Sequence, residues 1–135
     1  MKSQQLLLVV TLCLLLVPSA LPSQAGEIFR IDLPGGESQL PEVATGGDGD
    51  FVVVWRESPG GGLAGVSARR IEATALGVAL PDGGEFVVEA PQPETDITRP
   101  SVAMDDAGRF VVVWGEGRVF ESCVEGHRFD PLGIS

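Results

Sequence analysis

The chain has 135 residues and a formal charge of −10, with nine Lys and Arg against 19 Asp and Glu. Such an acidic surface excludes nucleic acid as a partner and disfavours anionic membranes. Only two cysteines are present, Cys13 and Cys123, and Cys13 lies in an N-terminal apolar run, so a disulfide-stapled fold is excluded too.

Residues 1–25 read as a signal peptide. Met1–Gln5 carries one Lys, Leu6–Val17 is apolar apart from Thr11, Pro18 ends the run, and Ser23-Gln24-Ala25 is a small-x-small cleavage site. A bilayer takes about 20 residues of helix. The run from Leu6 to Val17 is shorter, so no stable membrane anchor is expected. The expected destination is secretion, extracellular or periplasmic. Past the leader remain eight Arg, no Lys and all 19 acids, a formal charge of −11 on residues 26–135.

The mature part is built on a repeat. Pro41-Glu-Val-Ala-Thr-Gly-Gly-Asp-Gly-Asp-Phe-Val-Val-Val-Trp55 returns as Pro100-Ser-Val-Ala-Met-Asp-Asp-Ala-Gly-Arg-Phe-Val-Val-Val-Trp114, at an offset of 59 and with nine of fifteen residues shared. Val66–Glu72 and Val124–Asp130 align at an offset of 58, as do Gly26-Glu27-Ile28 and Gly84-Glu85-Phe86. Such a period marks supersecondary units that bury their cores against one another. The organisation expected is an N-terminal strand plus a first repeat over 26–99, and a second repeat over 100–135 that is incomplete at its C-terminus.

Strands are expected at 27–31, 41–45, 51–55, 64–71, 85–89, 100–104, 110–114 and 123–129. Gly46–Asp50 and Asp105–Gly108 read as tight hairpin turns, and Pro59–Gly62 and Pro81–Gly84 as further connections. No window sustains a 3.6-residue apolar period, so helix is not expected after the leader. In Phe51–Trp55 both strand faces are apolar, the mark of a strand covered on two sides. In Glu85–Glu89 the flanking acids leave one face wetter, as on an outer strand. A doubly buried inner strand with a wetter outer one describes a propeller blade.

The Pro-x-Val-Ala, acidic Gly turn, Phe-Val-Val-Val-Trp and Ala-Arg-Arg-Ile-Glu segments resemble repeats of secreted bacterial β-propeller-type proteins, over nearly all of residues 26–135. The resemblance implies an all-β fold of antiparallel four-stranded blades in a β-propeller-like repeat, here two blades of an incomplete propeller. It also implies self-association or membership of a longer array, because a closed propeller takes about four blades or more.

Chemistry is sparsely marked. His127 is the single histidine, Tyr is absent, and no nucleophile elbow, phosphate loop or HExxH pattern occurs. An enzyme is not expected. The leading expectation is a secreted non-catalytic β-repeat module that scaffolds or binds protein or glycan. The alternatives are a fragment of a propeller-type glycosidase and a calcium-stabilised structural repeat. Candidate binding residues are Arg118 and Phe120, in the loop where the repeats diverge. Candidate metal ligands are Asp48, Asp50, Asp105 and Asp106 in the acidic turns. No cofactor is expected except calcium, which takes six to eight oxygens. Against calcium stands the simpler reading that Asp and Gly serve hairpin geometry. Trp55 and Trp114, each ending a doubly apolar strand, read as core.

Overall fold

The computed structural model of the chain describes residues 29–73, 79–81, 84–118, 121–132 and 134. The expected signal peptide, the start of the expected 27–31 strand and Phe120 lie outside them. Within them all regular structure is strand: β1 (Glu37–Thr45), β2 (Phe51–Gly60), β3 (Leu63–Ala73), β4 (Ala79–Pro81), β5 (Phe86–Pro93), β6 (Asp96–Ile97), β7 (Ser101–Met104), β8 (Phe110–Arg118) and β9 (Glu121–Phe129). All pairings between these strands are antiparallel, so the all-β expectation holds.

The first sheet runs β1-β2-β3, and β4 and β5 share the far edge of β3. The second has β8 at its centre. β6 and β7 follow one another along one edge of β8, and β9 takes the other. The first sheet is thus four strands wide and the second three. The free edge of β9 has no partner strand among the described residues.

The pairings coincide between the sheets. Thr45 faces Phe51 and Val43 faces Val53 in the first; Met104 faces Phe110 and Val102 faces Val112 in the second. Trp55 faces Ser67, and Trp114 faces Glu125. Both hairpin turns close alike. Gly46 N–H donates to Asp50 O and Gly49 N–H to Gly46 O; Asp105 N–H donates to Arg109 O and Gly108 N–H to Asp105 O. Gly49 and Gly108 hold the left-handed position of each turn, at φ 86° and 79°. A side chain there would strain the backbone, which explains why each acidic turn carries a glycine at that point.

The core lies between the sheets. Val52, Val54, Val66 and Ala68 of the first pack on Phe110, Val112, Trp114 and Phe129 of the second. Burying each of the larger side chains contributes about 1.5–3 kcal/mol. Phe86 of β5 closes the gap, its ring centroid 5.6 Å from Phe129, which itself stacks on Phe110 at 4.8 Å. Glu42 and Arg99 tie the neighbouring edges of the two sheets at 3.1 Å.

The other face of the first sheet carries a smaller core of Val53, Trp55 and Ile71, with Phe51 and Ile31 packed against it. Here the sequence expectation needs correction. Over the described residues 29–31 the N-terminal segment forms no strand. It crosses the sheet face instead, inserting Ile31 while Arg69 donates to the Ile31 carbonyl oxygen. Ile31 thereby gains burial without any strand pairing.

Candidate functional site

The two hairpin turns sit side by side at one end of the sheets. A methyl on Gly47 would come within 3.2 Å of the Asp106 Cβ. Asp48, Asp50 and Asp106 line one cleft of about 100 Å³, with Arg70 across it. The Arg70 guanidinium pairs with the Asp50 carboxylate at 2.9 Å, and both side chains are largely buried. Asp105 faces a different cleft. Its carboxylate accepts from the backbone N–H of Ala107 and of Arg109, and it pairs with the Arg109 side chain at 2.7 Å. The Arg109 hydrogen bond holds the Asp105 carboxyl below the ordinary carboxylate range, and desolvation opposes it. The four candidate metal ligands are therefore divided between two clefts, and two of them are occupied by arginines. Among the described residues no three His, Cys, Asp or Glu side chains converge as a metal centre requires.

Arg118 lies at the opposite end. Its Nε donates to Glu116 at 2.9 Å and its Nη2 to Gln92 of β5 at 3.1 Å, so it joins the two sheets. Glu116 is buried, and the corresponding Glu57 in the first sheet accepts instead from the Trp55 indole at 2.9 Å. Trp114, the counterpart of Trp55, has a buried Nε1 with no hydrogen-bond partner. Arg118 and the Trp114 indole are thus alternative donors for one carboxylate. Stripping a partner from a buried ion pair ordinarily costs 3–5 kcal/mol. Arg118→Ala is expected to cost only about 1 kcal/mol, because Glu116 can turn to the indole. Urea unfolding gives the cost. A change in Trp114 emission in the native variant checks the turn.

Cys123 is exposed, with its Sγ 3.7 Å from the Glu125 carboxylate. Desolvation first, then the negative charges of Glu125 and Glu116, push its thiol up. The thiolate is the reactive form. Alkylation at neutral pH is therefore expected to be slower than for a cysteine in an unfolded peptide, and Glu125→Gln should accelerate it. An alkylation rate measured from pH 7 to 10 checks both, the variant's curve moving to lower pH.

Two blades alone are expected to leave apolar sheet faces bare, with valines of β2 and β8 on them. The β2 valines lie on no such face, whereas the outer face of the second sheet is one. There Val111, Val113 and Val124 are 39%, 38% and 79% exposed. Their counterparts in the first sheet, Val52, Val54 and Val66, are fully buried. Beside these valines a cleft of about 420 Å³ runs past Ala103, Val111, Arg109 and Arg128. A signal was present in the repeat itself: β8 is apolar on both faces, like β2, and the described residues form two sheets to cover them. The charges differ between the sheets as well. The position of Asp50 is taken by Arg109, which turns to Asp105, and Arg128, the counterpart of Arg70, has no ion-pair partner among the described residues.

No protein-family model, curated protein or solved structure matches this chain.

Proposed function

We propose that the chain is a secreted, non-catalytic β-repeat module of propeller type, two blades that act by docking on protein. One observation carries the reading: the second sheet leaves open the apolar face that the first sheet, with matching residues in matching register, buries. Exposed apolar faces of this kind mark interaction sites. The face offers valines and two arginines and, among the described residues, no exposed aromatic ring for a sugar to stack on, which favours protein over glycan. Apart from Arg128 and Asp48, the polar groups nearby are engaged in structure. Asp50, Asp105 and Glu116 hold Arg70, Arg109 and Arg118, and His127 stands edge-on to Trp114 at 5.7 Å.

A repeat module gains stability when its array is lengthened, because each new unit adds an interface. The test appends a second copy of residues 78–135 after Gly133, in the phase of the repeat, with the original Cys123 changed to Gly. The glycine is needed because Cys123 stands where Gly65 lets β5 approach β3. The urea midpoint and its slope should both rise. An appended half that proteases remove at once, with the midpoint unmoved, would refute the repeat reading.

A further inference from the structure

We infer that the open face of the second sheet is a docking site for the first sheet of a second copy of this chain. The inference rests on the repeat-module reading and names its partner. The same contact already exists once within the chain. The Val52, Val54 and Val66 face of the first sheet lies on Phe110, Val112 and Trp114 of the second. Val111, Val113 and Val124 reproduce the first of these surfaces. Phe51, Val53 and Trp55 reproduce the second. A second copy therefore presents, residue for residue, the surface that the open valines lack.

The charges agree with this partner. Inside the chain Arg70 reaches over the turn of the neighbouring sheet, where a methyl on Gly108 would stand 3.3 Å from its Nη2. Transposed to the intermolecular contact, Arg128 takes the place of Arg70, and residues 46–49 of the second copy take the place of 105–108. Asp48 then stands where the internal contact has Ala107. Asp48 and Arg128 are both exposed, and neither side chain has an ion-pair or hydrogen-bond partner among the described residues. The docked geometry brings these two unpaired charges together across the interface.

One group must move. Ile31 covers the Val53, Trp55 and Ile71 face. Docking displaces residues 29–33 of the receiving copy, so this segment competes with the partner. The contact is heterologous, each copy using one face to give and another to receive. Growth stops when rotation closes a ring, at about two to four copies for the four to eight blades of known propellers.

The test is sedimentation of the purified chain over a range of concentrations, with circular dichroism of each variant to establish that it is folded. The wild-type chain should associate reversibly. Val111→Glu, at a position already partly exposed, should weaken association about tenfold or more. Arg128→Glu and Asp48→Arg should each weaken it about tenfold, and their combination should restore it. Ile31→Asp should strengthen it by loosening the competing segment. A folded wild-type chain that stays monomeric at every concentration overturns the inference, even where the lengthened array is stabilised and the repeat reading stands. So does association that is indifferent to Val111→Glu, or a charge swap that fails to restore what the single reversals removed.

Discussion

Trp114→Ala is expected to remove a large part of the protein's stability. The side chain is 2% exposed and belongs to the cluster that joins the two sheets. Truncating a buried Trp or Phe costs about 3–5 kcal/mol, against a total of about 5–15 kcal/mol for an ordinary domain. Trp55→Ala should cost less. Trp55 belongs to the smaller cluster, whose cover includes the partly buried Ile31 on the N-terminal segment. Trp114→Phe should cost less still. It keeps an aromatic ring between the sheets and removes an indole N–H that is buried without a partner. Urea unfolding of the three variants gives the order directly. A Trp114→Ala protein as stable as the wild type would mean that the sheets do not rely on their shared core.

The strands that sequence reading found best are those whose own residues settle their burial. Phe51–Trp55 and Phe110–Trp114 are β-branched and aromatic runs bounded by Gly turns, and they are the centres of their sheets. What pairs beyond them was less legible. β2 continues through Arg56–Gly60 and β8 through Gly115–Arg118, where main-chain hydrogen bonds to a neighbour sustain the strand and the side chains carry no pattern. β1 begins at Glu37, ahead of the expected start. Leu40 at φ 54° and Pro41 mark a break in its pairing between Gln39 and Glu42, so the upstream residues look separate in the sequence. β4 and β6, three and two residues long, are too short to show a period.

The candidate site was legible in its turns and not in its pairings. Glycines at the left-handed positions announce both hairpins. That Asp50 takes Arg70 from twenty residues away, while Asp105 takes Arg109 within its own turn, depends on two exchanges between the repeats, Asp50 for Arg109 and Gly46 for Asp105. That the β8 valines and not the β2 valines are the open ones was hidden for another reason. Val111 and Val113 have the same local sequence as Val52 and Val54, and what differs is that the other described sheet lies against the Val52 and Val54 face and not against theirs.

Gly65→Ala is the second expected disruption, and its counterpart explains why. At this point β3 and β5 run past each other with a register break: Ala64 faces Gln92 while Val66 faces Glu89. β5 therefore spends an extra residue, at Ala90-Pro91, where proline has no N–H to contribute to the ladder. The loop of β5 leans on Gly65. A Cβ there would stand 2.6 Å from the Glu89 carbonyl oxygen and 2.8 Å from the Pro91 nitrogen. Both are backbone atoms and cannot rotate away, so β5 must shift as a unit. Overpacking of this kind costs about 1–3 kcal/mol. The loss should concentrate in β5, whose amides are expected to exchange faster with solvent than those of β2. Gly84→Ala is the control. A Cβ at Gly84 meets nothing within 4 Å, and the change should be neutral or slightly stabilising. At an offset of 58 the second sheet has Cys123 in place of Gly65, on the free edge of β9, where among the described residues no strand crowds its side chain. Cys123→Gly should therefore leave stability nearly unchanged, while Gly65→Cys should cost at least as much as Gly65→Ala. Equal effects from these two reciprocal changes would show that β5 does not press on β3 as described.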